Sequence, residues 1–167
     1  MQQHWFVFYT KSRQEKKVSE VLQKRGFKTF LPLHKVLRQW SDRKKRVEVP
    51  LFNSYIFVFD FEHKIPDILQ VPGIAWNIKI AGRPAVLRAQ DIEIIQRFLA
   101  TGFTMEADTL DHVTLKSGQR AKIMDGPLKG IEGVIIQAAD AETFVIALEG
   151  IDQLIRVQIP AFLLKKL

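Results

Sequence analysis

The chain has 167 residues, 47% of them hydrophobic, with no cysteine and a formal net charge of +7. That is enough apolar residue for one ordinary domain or two small ones, and too little compositional bias for disorder. The absence of cysteine excludes a disulfide scaffold and Cys-ligated zinc, and fits a reducing cytoplasm.

The charge is uneven along the chain. Residues 1–46 hold thirteen Lys/Arg and three Asp/Glu, a local net of +10, whereas residues 47–167 sum to −3. Such asymmetry points to a polyanionic partner for the N-terminal part. The opening MQQHWFVFYTKSR has too few apolar residues before Lys11 for a secretion signal. No uncharged apolar run approaches the roughly 18–20 residues of a membrane span. A cytoplasmic protein with no membrane association is expected.

The first predicted element is a strand over residues 4–9 (HWFVFY). SRQEKKVSEVLQKRG then reads as an amphipathic helix. Ser12 and Glu15 suggest a capping box, Val18, Val21 and Leu22 form the apolar stripe, and Gly26 is the stop. At about 100° per residue Lys17 and Lys24 sit roughly 20° apart, with Arg13 close by, so a basic ridge borders the core face. FKTFLP is a second strand ended by Pro32. HKVLRQW and KRVEV read as the arms of a hairpin whose tip, SDRKK, is charged.

Residues 53–59 make the next strand, and its neighbourhood, VPLFNSYIFVFDF, breaks the usual rule. A strand with one wet face alternates apolar and polar residues. Here Tyr55, Phe57 and Phe59 share one face, while Ile56 and Val58 share the other. Both faces must be covered, by this chain or by a partner. A short helix over 65–70, a turn at VPG, a strand over 74–80 and a helix ending at Gly102 follow, with Ile92, Ile95 and Leu99 facing inward. This is an α+β arrangement, with helices against a mostly antiparallel sheet. TGFTMEADTLDHVTLK, within 101–116, reads as a linker. Beyond it QRAKI, EGVIIQ, TFVIAL and LIRVQI are short β-rich runs separated by GPLKG, AADAE and EGID, with a last strand or closing turn at 159–164. Short strands at this spacing predict a small barrel.

Catalytic signatures do not emerge. The histidines (His4, His34, His63, His112) are scattered, and no nucleophile elbow, Walker A or dinucleotide fingerprint occurs. A non-enzymatic protein with no cofactor and no metal is expected. The hairpin tip gathers Arg38, Arg43 and Lys44 around Trp40. That set can meet phosphates and stack on a base; a solvated charge run with Trp40 against the sheet is the plainer alternative. The helical ridge of Arg13, Lys17 and Lys24 offers a second cationic strip, with Lys11 and Gln14 at its mouth. In the C-terminal part Gly118, Lys122, Asp125, Gly126, Pro127, Gly130 and Gly133 stand at the spacing of a KOW motif, which implies an SH3-like β-barrel.

With both halves read, the whole chain resembles the NusG family of transcription elongation factors. WFVFYTKSRQEKKV is similar to the family's opening strand and helix, PLFNSYIFV to its polymerase-facing strand, and VPGIAWNIKIAGRPAVL to its late strand and turn. PLFNSY and the LPLHKVLRQWSDRKKRVEV hairpin are closest to the specialised RfaH- and UpxY-like members, the latter associated with polysaccharide operons.

The resemblance implies an N-terminal NusG-type α/β sandwich over 1–102, a linker over 103–116 and a KOW barrel over 117–167. It implies that Tyr9, Phe52, Tyr55 and Phe57 dock on the clamp helices of the RNA polymerase largest subunit. It also implies that Lys11, Gln14, Lys17 and Lys24, with the hairpin, touch non-template DNA, and that pausing and termination are suppressed by binding alone. The barrel would recruit a ribosomal protein or Rho, and the protein would act as a monomer. Two alternatives stay open, a housekeeping NusG-type factor and an RNA-binding, ribosome-associated KOW protein. The balanced charge of 117–167 weighs against the second.

Overall fold

The computed structural model describes residues 1–138 and 141–167, with backbone only at 113, 114, 137, 138, 141 and 142. The chain divides into two compact units, Met1–Ile92 and Glu93–Leu167. The turn expected at AADAE lies partly outside the described residues.

The first unit is built on a sheet in the order β2-β5-β1-β6, with β9 also paired to β1. Its strands are β1 (Gln3–Thr10), β2 (Lys28–Phe30), β5 (Tyr55–Phe61), β6 (Ile74–Asn77) and β9 (Val86–Leu87). β1 and β5 pair antiparallel in a register that sets Phe6 opposite Val58 and Phe8 opposite Ile56. Helices α1 (Glu15–Lys24) and α2 (Ile65–Ile68) supply the rest of this core. Phe6, Phe8, Ile56 and Val58 are buried with Val18, Leu22, Ile65 and Ile68. One face of the doubly apolar strand is therefore covered by helices of its own unit, as the alternation predicts. Each such aliphatic side chain contributes about 1.5–3 kcal/mol of burial.

Several boundaries differ from the sequence expectation. The Ser12/Glu15 capping box does not form. Arg13 takes a left-handed φ of 62°, and α1 begins from Gln14 with no side-chain cap. Glu15 is committed elsewhere, as described below. The strand expected to start at residue 53 starts at Tyr55, because Ser54 is left-handed (φ 64°) and the Tyr55 amide closes a turn onto the Phe52 carbonyl. The single strand expected over 74–80 is broken after Asn77. Ile78 donates to the Val7 carbonyl and accepts from Ala85, and β7 (Lys79–Ile80) then pairs with β8 (Arg83–Pro84) as a small separate hairpin. The basic hairpin forms as β3 (Leu33–Gln39) and β4 (Lys44–Pro50), closed by the Trp40 amide on the Arg43 carbonyl.

The second unit is a six-stranded antiparallel sheet in the order β10-β14-β13-β12-β11-β15. The strands are β10 (Met105–Thr109), β11 (Gln119–Ile123), β12 (Glu132–Ala138), β13 (Ala141–Leu148), β14 (Gln153–Val157) and β15 (Leu164–Lys166). The four β-rich runs fall on β11 to β14. β10 and β15 are the edges, and no pairing closes them into a barrel among the described residues.

The expected linker is corrected here. Met105 is buried, and Glu106 and Asp108 lie on β10 beside Arg156 of β14, whose guanidinium meets the Asp108 carboxylate at 3.0 Å. That hydrogen bond holds the Asp108 carboxyl below its usual value. Cross-strand partners made a strand of a segment with weak propensity. Helix α4 (His112–Ser117) occupies the rest.

The division between the units also differs from the expected break at 102, since it falls within α3 (Ala89–Leu99). Within the second unit Phe98 is fully buried with its ring 6.4 Å from Phe144, and Arg97 donates to the carbonyls of Pro127 and Lys129. Those contacts tie 93–99 to the second sheet. In the first unit Arg88 grips Asp91 with two 3.0 Å bonds.

Candidate nucleic-acid interface and aromatic face

The second face of the first sheet is aromatic across three strands. The register sets Tyr9 of β1 opposite Tyr55 of β5 on one side and Trp76 of β6 on the other. Trp76 lies flat on Tyr9, with centroids 4.4 Å apart and planes 3° from parallel, while Tyr55 meets Tyr9 edge-on at 6.2 Å. Trp76 is 54% exposed, and the two tyrosines are half-buried. Further along, Trp5 packs against Phe59 and Phe30, and the Lys28 ammonium stands 5.0 Å from the Phe59 ring.

Of the four residues expected to form a docking face, only Tyr9 and Tyr55 are open. Phe52 and Phe57 are buried, packed on each other edge-on at 5.7 Å, and Phe57 also meets Phe30. They are the support on which Tyr55 rests, since Phe52 also stacks against it. Trp76 was not among the expected residues. Its signal was present: a tryptophan in IAWN, one residue before a buried Asn77, on a strand that follows the VPG turn.

The residues expected to meet nucleic acid are all exposed except the neutral Gln14, which is half-buried. Lys11, Lys17 and Lys24 are exposed around α1. Arg43 and Lys44 are exposed at the hairpin tip, where Trp40 is 47% exposed with the Lys45 ammonium 5.8 Å from its ring. Trp40 is thus neither free nor folded against the main sheet; it is partly covered by a neighbouring cation.

Two of the expected residues, Arg13 and Arg38, come together. They line a cleft of about 460 Å³ with Ser12, Glu15, Lys16, Glu48, Val49, Pro50, Asn53 and Ser54. Lys16 bridges the cleft by donating to the Glu48 carbonyl at 2.8 Å. Its floor is Glu15, 5% exposed, whose carboxylate accepts from the Ser54 amide at 3.2 Å. The Ser54 carbonyl in turn accepts from Thr10, beside Tyr9, at 2.7 Å. One loop therefore joins the cleft to the aromatic row. On the hairpin, burial lowers the His34 pKa below 6.5.

In the second unit the glycine-rich stretch forms the connection between β11 and β12. Lys122 lies on β11, the Asp125 carboxylate accepts from the Gly126 amide at 2.8 Å, and Pro127 sits in the 3-10 turn that follows. Gly130, at φ 93°, precedes the return into β12. Gly133 on β12 lies so close to β13 that a Cβ there would stand 2.5 Å from the Val145 carbonyl and 2.6 Å from the Phe144 ring. Gly118 leads into β11. Among the described residues no cluster of His, Asp or Glu could hold a metal, and no helix is long and apolar enough to cross a membrane.

An α/β unit with a basic flank and an aromatic face is thus followed by an antiparallel β unit. The family model described as NusG, transcription termination factor nusG, matches residues 3–96. That is more than half of the chain, which therefore belongs to the NusG family, a family of non-enzymatic transcription factors. A solved structure titled "Domain interaction in Thermotoga maritima NusG" is similar in fold, with a TM-score of 0.55 at 20% identity, over 100% of this chain and 98% of that one. A structure titled "Crystal Structure of MjSpt4:Spt5 complex conformation B" aligns over 98% of this chain and 96% of that one at 15% identity, with a TM-score of 0.33. Comparison with curated proteins gives no match.

Proposed function

We propose that this protein is a transcription elongation and antitermination factor that works by binding alone. The aromatic row of Tyr9, Tyr55 and Trp76, backed by Phe52 and Phe57, docks on the clamp helices of the RNA polymerase largest subunit. The cations in and just before α1 (Lys11, Arg13, Lys17, Lys24, with Gln14) and those of the hairpin (Arg38, Arg43, Lys44, with Trp40) contact non-template DNA. Bound in this way, the factor disfavours paused and terminating states. The second unit acts as a KOW module of SH3-like barrel type that recruits a further partner, a ribosomal protein or Rho. The RfaH/UpxY-like hairpin and PLFNSY strand suit recruitment to particular operons of the polysaccharide type. The protein acts in the cytoplasm as a monomer.

The observation that carries this reading is the flat Tyr9–Trp76 stack, an exposed indole on a half-buried tyrosine, on the same unit as the +10 basic segment. Large aromatics held rigidly at a surface are what dominate protein interfaces, and truncating one costs about 2 kcal/mol or more. The test is retention of the cognate polymerase on immobilised protein, wild type against Tyr9→Ala/Tyr55→Ala with matched melting curves. Loss of retention in the double variant is expected. Equal retention by both proteins would refute the siting of the dock.

A further inference from the structure

The β15 margin of the second sheet carries a patch that is both apolar and cationic. Phe162 is 84% exposed and Met124 is 42% exposed. A lone exposed ring is ordinary, but this one is held out by fixed backbone. Ile159 before it is buried, and the Leu163 amide donates to the Pro160 carbonyl at 3.0 Å. The Leu163 carbonyl accepts from the Met124 amide at 2.8 Å, which brings the turn onto the end of β11. β15 then pairs with β11 and sets Lys165 directly opposite Lys122. Cross-strand partners share a face, and Met124, two residues after Lys122, shares it too. Ala121 and Ile123 fill the opposite, buried face.

Like charges set opposite each other weaken a ladder, and an anion between them relieves the repulsion. Among the described residues neither Lys122 nor Lys165 is in an ion pair. The acids nearby are turned elsewhere. Glu132, across from Lys122 on β12, meets Arg120 at 3.5 Å, and the Asp125 carboxylate accepts from the Gly126 amide.

We infer that this patch is a docking surface for an acidic segment of a partner protein. A carboxylate of the segment bridges Lys122 and Lys165. A large apolar side chain beside it lies on Phe162 and on Met124, whose thioether adapts to its shape. Nucleic acid is the poorer match. Over 117–167 Lys/Arg and Asp/Glu balance at six each, so the unit lacks the field that a phosphate backbone follows, and Asp125 and Glu132 border the patch. The site centres on the turn into β15, not on the glycine-rich connection. It rests on the recruiting role proposed above for the second unit, and gives that role a surface and a partner chemistry.

The test is a titration of the nitrogen-15-labelled full chain, read as amide shifts. The probe is a synthetic peptide of glutamates around a central leucine pair. The 122–124 and 161–165 amides of wild type are expected to move, and a peptide with lysine in place of glutamate is expected to leave them still. Phe162, Lys122 and Lys165 lie outside the core, so Phe162→Ser and Lys122→Gln/Lys165→Gln are expected to melt as wild type does. Each should weaken binding at these amides about tenfold, the scale of a hot-spot contact. Added salt should weaken binding by wild type and by Phe162→Ser, and scarcely change it in the double variant. Binding there that survives in both variants would overturn the proposal, as would an oligothymidylate that moves the same amides where the peptide does not. Shifts confined to the β11–β12 connection would overturn this site and leave the recruiting role standing. No shift anywhere in the second unit, with peptide or with oligothymidylate, would sink the recruiting role as well.

Discussion

Removing the Glu15 carboxylate is the sharpest test of how the first unit is held together. Glu15 is 5% exposed, and its bond to the Ser54 amide is the side-chain link between the start of α1 and the loop that carries Tyr55. A hydrogen bond to a charged group contributes about 1.5–3 kcal/mol. Alanine recovers a few tenths in helix propensity but loses an acid in the first turn of α1, worth about 0.3–1 kcal/mol. These two terms nearly cancel, so Glu15→Ala should cost about 2 kcal/mol. The assay is urea unfolding followed by tryptophan fluorescence. All three tryptophans, Trp5, Trp40 and Trp76, lie in the first unit, so the signal reports that unit alone. With an m-value of about 1–2 kcal/mol per molar urea, the midpoint should fall by about 1–2 M. Glu15→Gln should fall by less, because a neutral acceptor remains. A midpoint for Glu15→Ala within about 0.2 M of wild type would refute the claim that this bond fastens the loop.

Two further outcomes are expected. Gly133→Ala should destabilise the second unit by about 1–3 kcal/mol, because its Cβ would press on the Val145 carbonyl and the Phe144 ring; hydrogen exchange of the β12 and β13 amides reads this out, and unchanged protection would contradict the packing. His34 has a lowered pKa, so the unfolded chain takes up its proton first as pH falls. Its contribution to stability is present above about pH 6.5 and is lost as pH drops from there toward the lower folded value. The pH dependence of the unfolding midpoint should therefore be shallower in His34→Gln than in wild type over that window, and identical profiles would count against burial of the imidazole.

The strands and helices with clear periodicity were legible in the sequence. Val18 and Leu22, Ile56 and Val58, and the four β-rich C-terminal runs lie where their spacing puts them. What the sequence hid came from long-range pairing. Glu15 read as a capping residue because Ser12 precedes it, yet its partner is Ser54, far along the chain. The 101–116 stretch looked like a linker because an edge strand takes its order from its neighbour, here through Arg156 and Asp108, and shows little pattern of its own. At the aromatic face, alternation identified the correct side of the strand but not the depth of each ring. Phe57 and Tyr55 share a face and differ in exposure because Phe30 and Phe52 close over Phe57. Trp76 was not expected in this row because it joins it only when β6 pairs with β1 and lays the indole on Tyr9.

The open second sheet and the short margins of the first have a consequence for solubility. A sheet ending in free N–H and C=O groups is a template for another copy of itself. Here the bare margins are brief, and all but the uncharged β6 and β9 carry charge. β2 has three residues and presents Lys28, β15 has three and presents Lys165 and Lys166, and β10 presents Glu106 and Asp108. The long greasy strands, β5 and β13, are kept inside, each paired on both sides. The strands with the most apolar sequence are thus the ones least able to pair with another copy, because their backbone groups are already taken.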